Sequence, residues 1–205
     1  MRRLVIVGAG GHGKVVADIA KLDGYEDIIF LDDNENIKKC GNYNVVGSIS
    51  DVKEYKGYDF FVAIGSSVIR KRIQDKLENL TTLIHPNAII AENVSIGQGS
   101  VVMAGTVINL DTVIGCGCIV NTCASIDHDC RVEDFVHCSV GSHICGTVCI
   151  GHSTCVGAGA IIINNIDICP ECVIGAGAVV TKNIDCRGVY IGLPARLYAN
   201  KEMRY

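Results

Sequence analysis

The sequence has 205 residues, enough for one large domain or two small ones. Its formal net charge of −4 gives no electrostatic reason to expect nucleic acid as a partner. The apolar run after Met1 is too short for a secretory signal, and no stretch approaches the length of a membrane span. We therefore expect a cytoplasmic protein that has no membrane partner.

The first 82 residues alternate short apolar runs with helical patterns. Residues 4–7 and 28–31 predict two buried strands, and residues 58–64 predict a later one. A helix of mixed charge is predicted over residues 68–79. Because strands that alternate with helices are typical of a parallel sheet covered by helices, residues 1–82 are predicted to form an α/β domain.

A glycine motif lies between the first predicted strand and a helix. Gly8, Gly10 and Gly13 match G-x-G-x-x-G, and Asp32 follows about twenty residues later, as in dinucleotide-binding proteins. Such glycines let a phosphate approach backbone N–H groups at a helix N-terminus. A full dinucleotide fold needs two mononucleotide halves, and about eighty residues hold one. The motif thus favours a mononucleotide or nucleotide-sugar over NAD; a purely structural turn is the alternative.

The rest of the chain carries a six-residue repeat. Starting at Ile84, every sixth residue up to Val180 is Ile or Val, with Cys138 as the one exception. The residue four places after each of these is small or β-branched, as at Ala88 and Thr106. A period of six matches neither a helix nor a coiled coil and is typical of a β-helix. Residues 83–205 are predicted to form a solenoid of short parallel strands with the Ile and Val side chains inside.

The twelve cysteines are interpreted as reduced structural residues. Cys118, Cys130 and Cys172 fall on inward positions of the repeat, where a thiol acts as small apolar filler. The single C-x-x-C motif at residues 169–172 lacks the second pair that a zinc site requires. No metal is therefore predicted.

Taken together, these features resemble the bacterial sugar-nucleotide N-acetyltransferases of the UDP-N-acetylbacillosamine type, with the sialic acid O-acetyltransferases as a related branch. The resemblance covers the whole chain and rests on residues 8–14, 31–33, 61–65, 121–146 and 188–195. It implies a Rossmann-like domain that holds a nucleotide-sugar, followed by a left-handed parallel β-helix. It also implies a homotrimer, with acetyl-CoA bound between neighbouring β-helices.

The resemblance places the chemistry around His128. Ile126 and Cys130 lie on inward positions of the repeat, so His128 and Asp129 between them are predicted to face outward. This argues against a cysteine nucleophile. His128 is predicted to be the general base in direct transfer of the acetyl group to a sugar amine. A carboxylate beside it would orient the imidazole; Asp129 is the first choice and Asp127 the alternative.

The binding residues come from the same resemblance. Gly146 is predicted to stack over His128, eighteen residues earlier, and to offer a backbone N–H to the oxyanion. His137 is expected to contact the carbonyl region of acetyl-CoA. The pantetheine arm is expected to lie along small residues, namely Ala158, Gly175 and Ala176. The nucleotide-sugar is expected to contact Gly10, Gly11, His12, Asp32, Asp33, Gly65 and Arg70. In that set the two aspartates would read the ribose and base, and Arg70 would bind a phosphate. Uracil is the expected base, with guanine left open.

Three other functions remain as alternatives. The first is O-acetylation of a sialic acid or another sugar. The second is a non-enzymatic trimer that only binds a sugar-nucleotide. The third is a zinc lyase of the γ-carbonic-anhydrase type, for which the outward positions of the repeat offer His128, His137, His143 and His152. The lyase is disfavoured because such enzymes need no nucleotide domain.

Overall fold

Two units of different architecture make up residues 1–199, which are the residues that the computed structural model describes. The N-terminal unit contains five strands, two α-helices and a short 3₁₀ helix. Their bounds are β1 (Arg2–Val7), α1 (Gly11–Leu22), β2 (Tyr25–Leu31), β3 (Lys39–Cys40), β4 (Tyr43–Gly47), the 3₁₀ helix (Ile49–Glu54), β5 (Asp59–Val62) and α2 (Ser67–Gln74). None of the helices within the described range is both long and apolar enough to cross a membrane.

The sheet of this unit has the strand order β3-β4-β2-β1-β5. The strands β1, β2, β4 and β5 run parallel, which confirms the predicted α/β architecture. At its edge lies a hairpin that was not predicted, in which β3 pairs antiparallel with β4. Cys40 pairs with Tyr43 across the two-residue turn of Gly41 and Asn42, and Gly41 has a φ of +59°. A Gly-Asn pair between short strands is a hairpin signal, so the sequence did contain the information.

The second predicted helix is shorter than expected. It ends at Gln74 rather than at residue 79. The amides of Lys76 and Leu77 donate to carbonyls three residues back, which tightens the chain into turns. Leu80 then forms a bridge with Phe60, so the chain returns to the sheet instead of continuing the helix.

A triangular prism of short strands follows, as the six-residue repeat predicts. From β6 to β19, each strand of two residues pairs in parallel with the strand eighteen residues further along the chain; Ile108, for example, pairs with Ile126. The bounds are β6 (Leu83–Ile84), β7 (Ile89–Ile90), β8 (Ser95–Ile96), β9 (Val101–Val102), β10 (Val107–Ile108), β11 (Val113–Ile114), β12 (Ile119–Val120), β13 (Ser125–Ile126), β14 (Arg131–Val132), β15 (His137–Cys138), β16 (His143–Ile144), β17 (Cys149–Ile150), β18 (Cys155–Val156), β19 (Ile161–Ile162), β20 (Asp167–Ile168), β21 (Val173–Ile174), β22 (Val179–Val180), β23 (Val189–Ile191) and β24 (Arg196–Ala199).

Three sheets form the faces of the prism. Face 1 contains β7, β10, β13, β16, β19 and β22; face 2 contains β8, β11, β14, β17 and β20. Face 3 contains β6, β9, β12, β15, β18 and β21, and is extended by β23 and β24. Because the chain passes from face 1 to face 2 to face 3 in every coil, each group of three six-residue units adds one layer to the prism.

Repeated branched side chains fill the interior of the prism. Ile108, Ile126, Ile144 and Ile162 form one column on face 1, and all four are buried. Full burial of one such side chain contributes about 1.5–3 kcal/mol, so these columns are the main source of stability. The position of the Ile and Val side chains confirms the prediction. Ile84, at the start of the prism, is partly buried because no coil covers it.

The N-terminal unit packs on face 3. The first residues of three strands of that face, Leu83, Val101 and Ile119, point out of the prism and share a buried cluster with Ala9 and Val16 of the N-terminal unit. These outward apolar residues explain why the two units form one continuous core at this face. The glycine motif, at the N-terminus of α1, therefore lies on the face 3 side of the prism.

Candidate active site

His128 lies on the edge of the prism between face 1 and face 2, just after β13. About half of its side chain is exposed (52%), whereas Ile126 and Cys130 on either side are buried. The directions predicted from the repeat are therefore confirmed. Asp129 has a left-handed backbone with a φ of +57°, and its Oδ2 lies 2.7 Å from Nδ1 of His128. The corner of the coil thus presents an imidazole and a carboxylate together at the surface.

The two aspartates beside His128 play different parts. Asp129 contacts the ring, whereas Asp127 Oδ1 accepts hydrogen bonds from the His128 backbone N–H at 2.9 Å and from Asn109 Nδ2 at 2.7 Å. The hydrogen bond with Asp129 raises the pKa of His128, and the charge of Asp127 adds to that increase. A neutral imidazole held in this way carries its proton on Nδ1, which leaves the lone pair on Nε2.

Gly146 lies one coil beyond His128 and touches its ring. A Cβ placed on Gly146 would lie 2.6 Å from both Cε1 and Nε2 of His128, so no larger residue fits without moving the imidazole. The next residue, Thr147, donates its backbone N–H to the His128 carbonyl at 2.9 Å. The predicted stacking of Gly146 over His128 is therefore present in the structure.

Cys130 faces the interior, although it lies two residues from His128. Its Sγ lies 3.2 Å from the Cys145 carbonyl oxygen, and burial raises the pKa of the thiol. A nucleophilic cysteine needs a thiolate that a substrate can reach. Cys130 meets neither condition and acts as core filler.

The glycines of the N-terminal motif fall into two groups. A Cβ on Gly13 would overlap the Gly8 carbonyl oxygen, and a Cβ on Gly8 would lie 2.9 Å from the Ala63 carbonyl oxygen. These two positions serve close packing of helix and strands. A Cβ on Gly10 or Gly11 would meet nothing within 4 Å. Gly10 and Gly11 therefore line an open surface that a ligand can approach.

That open surface is the N-terminus of α1. Gly10 is the N-cap and makes no side-chain cap, and the first helical bond runs from the Lys14 N–H to its carbonyl at 3.2 Å. The amides of residues 11–13 consequently have no partner within the helix. Unpaired amides and the positive end of the helix dipole favour an anion here.

The two aspartates after β2, Asp32 and Asp33, accept hydrogen bonds from neighbouring backbone N–H groups. Asp32 accepts hydrogen bonds from the Ala9 N–H at 2.7 Å and the Asn34 N–H at 2.9 Å. The exposed Asp33 accepts one from the Ile49 N–H at 2.9 Å. Asp32 therefore braces the glycine loop at Ala9, whereas Asp33 braces the start of the 3₁₀ helix. Their predicted contacts with ribose and base would use the remaining lone pairs.

The prediction that Arg70 binds a phosphate is wrong. Arg70 has no exposed surface, and its guanidinium donates to the carbonyls of Ile64, Gly65, Gly117 and Phe135 at 2.7–2.9 Å. Every terminal nitrogen is thus engaged with backbone of the protein. Burial of Arg70 could not be predicted, because an arginine in a short helix of mixed charge is usually exposed. Gly65 itself faces open space, since a Cβ there would meet nothing within 4 Å.

His12 and His137 lie at the junction between α1 and face 3. Burial, together with the positive charge of Arg70, lowers the pKa of each imidazole to about 4, and His12 lowers that of His137 further. His137 Nε2 lies 3.2 Å from Asn121 Nδ2, whereas the buried Nε2 of His12 has no hydrogen-bond partner among the residues described. Both histidines are therefore neutral at physiological pH and belong to the same junction.

One chain does not bring all the predicted site residues together. His128 and Gly146 lie on the edge between faces 1 and 2, which is opposite face 3 and the glycine motif. Ala158 and Ala176 are exposed and lie one above the other on the edge between faces 3 and 1, away from both His128 and the glycine motif. The two coils are joined there by a hydrogen bond from the Gly177 N–H to the Ala158 carbonyl. Gly175 is buried beneath them.

The fold and this site define a class, the hexapeptide-repeat acyltransferases that carry an N-terminal α/β unit. Residues 3–77 match the family described as the PglD N-terminal domain. The acetyltransferase domain of PglB from Neisseria gonorrhoeae, crystallised with acetyl coenzyme A, is 38% identical, with a TM-score of 0.93 over 96% of this chain and 99% of that one. The chain belongs to the family of sugar-nucleotide N-acetyltransferases, and its β-helix is left-handed.

Two further relatives differ in the base of the sugar-nucleotide in their names. PerB from Caulobacter crescentus, crystallised with CoA and GDP-perosamine, is 32% identical, with a TM-score of 0.88 over 97% of this chain and 98% of that one. The UDP-N-acetylbacillosamine N-acetyltransferase of Bacillus subtilis (strain 168) is 35% identical over 114 residues, which cover 51% of this chain and 52% of that protein. This chain is accordingly an acetyltransferase, as predicted.

Proposed function

We propose that this protein transfers the acetyl group of acetyl-CoA directly to the amino group of a UDP-4-amino-4,6-dideoxy sugar. The observation that carries the proposal is the exposed imidazole of His128, whose Nδ1 is held by Asp129 at 2.7 Å and whose Nε2 lies against Gly146. Acetyl-CoA as cosubstrate is supported by the PglB domain and by PerB, which were crystallised with acetyl coenzyme A and CoA.

In this mechanism Nε2 of His128 takes a proton from the sugar amine as the nitrogen attacks the thioester carbonyl. A C–N bond forms, the C–S bond breaks, and the proton leaves with the thiol of CoA. Asp129 keeps the imidazole in the correct tautomer and stabilises the imidazolium. The hydrogen bond with Asp129 raises the pKa of His128, which makes its neutral form a stronger base. Because position 146 is a glycine, the imidazole can lie directly against the backbone of the next coil.

On the acceptor side, the open amides at the start of α1 suit the pyrophosphate. Gly10, Gly11 and Gly65 have no neighbour where a side chain would stand, so a nucleotide can lie directly on the backbone there. We expect His12, in the first turn of α1, to contact the sugar or its phosphates, and the exposed Asp33 to contact the base or ribose.

The separation of these groups supports a homotrimer. Within one chain, His128 lies on the edge opposite the face that carries the glycine motif. A substrate held by one chain can reach this imidazole only where an adjacent copy presents it. We therefore place the reaction between subunits, with the pantetheine arm along Ala158 and Ala176 and with His137 near the acetyl carbonyl.

An acceptor panel tests the proposal. Thioester consumption should be fastest with a UDP-4-amino-4,6-dideoxy sugar, compared with GDP-perosamine and with sialic acid, while His128→Ala protein serves as the blank. Preference for GDP-perosamine would replace uracil by guanine as the recognised base and leave the proposed reaction unchanged. N-acetylation of a GDP-amino-sugar is the second candidate function, and the match to PerB over nearly the whole chain favours it. Consumption with sialic acid alone would replace N-acetylation by O-acetylation.

The pH profile of kcat/KM should separate the two aspartates. Activity rises as His128 loses its proton, so the acid limb reports its pKa, which lies above the ordinary value of 6.5. Asp129→Asn removes the negative charge of the hydrogen-bond acceptor that is the largest cause of this increase, and the limb should move to lower pH. Asp127→Asn is the matched control and should shift the limb less. The opposite order would assign the orienting role to Asp127.

A further inference from the structure

Helix α2 lies along the edge of the prism between faces 2 and 3 and contacts three successive coils. Gln74 Nε2 donates to the Gly99 carbonyl at 3.1 Å, and Arg70 donates to the Gly117 and Phe135 carbonyls at 2.7 and 2.9 Å. These acceptors are eighteen residues apart, and each has a left-handed backbone, with φ values of +69°, +62° and +60°. Two side chains one helical turn apart thus bind equivalent corner carbonyls in three layers of the β-helix.

Within the described residues, the Arg70 side chain also donates to the loop that follows β5, whereas the side-chain hydrogen bond of Gln74 goes to the β-helix. Nη1 of Arg70 donates to the carbonyls of Ile64 at 2.8 Å and Gly65 at 2.7 Å, in the loop that follows β5. That loop is the one whose Gly65 faces open space beside the glycine motif. The buried guanidinium of Arg70 therefore connects the Gly65 loop, part of the proposed nucleotide-sugar site, to the coil that contains Phe135. Phe135 lies two residues before His137 in the same coil.

The groups around this guanidinium come from every element that packs on it. His12 lies on α1, His137 and Cys155 lie on face 3, and Cys118 lies at the edge beside it; the charge of Arg70 acts on all four. Lys71 lies nearby, with Nζ 5.3 Å from the centre of the Phe135 ring. Burial lowers the pKa of Arg70 to about 10, so it stays charged at neutral pH.

We propose that Arg70 is a positioning residue for the transfer reaction: it fixes the Gly65 loop against the coil that carries His137. In this way it sets where a bound nucleotide-sugar meets the β-helix. The link to a nucleotide-sugar depends on the proposed function, whereas the coupling of loop and coil does not. The planar fork is essential, because lysine keeps the charge but cannot donate to both units in fixed directions.

The test compares Arg70→Lys with Gln74→Met in the full-length protein. Gln74 is the matched control because it is buried on the same helix and binds the β-helix but not the Gly65 loop. In ligand-free hydrogen exchange, Arg70→Lys should speed exchange in peptides that contain Gly65 and in those that contain His137, while Gln74→Met leaves the Gly65 loop protected. In kinetics, Arg70→Lys should lower kcat/KM for the sugar-nucleotide by about 10²-fold, as misplacement of a substrate does.

A third variant, Arg70→Met, separates the effect of the positive charge from the effect of the hydrogen-bond geometry. In Arg70→Met, NMR titration of the imidazoles should show the pKa of His12 and His137 above about 4, because the neighbouring positive charge is gone. Arg70→Lys should keep both low. If Arg70→Met does not fold, hydrogen exchange and kinetics of Arg70→Lys still test the proposal. Equal exchange at the Gly65 loop in Arg70→Lys and Gln74→Met would overturn the proposal, and this readout holds even if the wild-type protein acetylates no nucleotide-sugar.

Discussion

Replacement of His128 by alanine is expected to lower kcat by about 10²–10⁴-fold, the usual contribution of a positioned general base. Nε2 of the half-exposed His128 side chain is the group that would accept the amine proton, and neither buried Cys130 nor Asp127, which is bound to backbone and Asn109, can take its place. KM for acetyl-CoA should change little, because the imidazole acts mainly in the transition state. Steady-state kinetics with the best acceptor of the panel measure both quantities.

A second exposed imidazole provides the control. His143 stands on face 1, one coil beyond Ser125, and its Nδ1 lies 2.8 Å from the Ser125 Oγ. His143→Ala removes a histidine of similar exposure without touching the pair of His128 and Asp129, so turnover should stay near that of the wild type. Near-normal turnover in His128→Ala would remove His128 from the mechanism, whatever the control shows.

The interior of the β-helix could be predicted because one physical requirement recurs in every unit. The strand residue that points into the narrow prism is branched and apolar in nearly every unit. The sequence pattern therefore predicts the inward column of Ile108, Ile126 and Ile144. The same register shows that Cys130 faces inward and His128 outward. It also stacks Gly146 on His128, because the coil has a constant length.

The junction between the two units could not be predicted in the same way. No period relates Arg70 to Gly117 and Phe135, which are 47 and 65 residues away in sequence. Their contact depends on the angle at which α2 meets the prism, and that angle follows from the packing of Leu83 and Val101 against the N-terminal unit. A buried arginine that binds backbone carbonyls leaves the same sequence pattern as an exposed one.

The neutral state of His12 and His137 could not be predicted from the sequence either, because it depends on the same junction between the two units. Burial is the largest cause of the low pKa of each, and the charge of Arg70 is the next. Both depend on contacts across the junction. The sequence could therefore indicate which histidines matter. It could not show that His12 and His137 lie largely buried near the Arg70 guanidinium, whereas His128 is half-exposed beside a carboxylate.

Replacement of Gly146 by alanine is expected to lower kcat by about 10²-fold while the protein stays as stable as the wild type. The new methyl group would lie 2.6 Å from Cε1 and Nε2 of His128. The backbone has no reason to move, because Gly146 is not in the left-handed region and the obstacle is the end of a half-exposed side chain. The imidazole should turn away instead and lose its 2.7 Å hydrogen bond with Asp129.

Stability and a double variant distinguish this from general damage. Where the backbone is compatible, Gly→Ala stabilises proteins by about 0.4–1 kcal/mol, so the urea midpoint should hold or rise slightly. If the methyl group acts by displacing the imidazole, adding Gly146→Ala to His128→Ala should cause no further loss of kcat, since residues that act as one unit are not additive. A full second loss in the double variant would mean that Gly146 serves the thioester independently, for instance by offering its own N–H to the oxyanion, and that the ring of His128 stays in place beside an alanine.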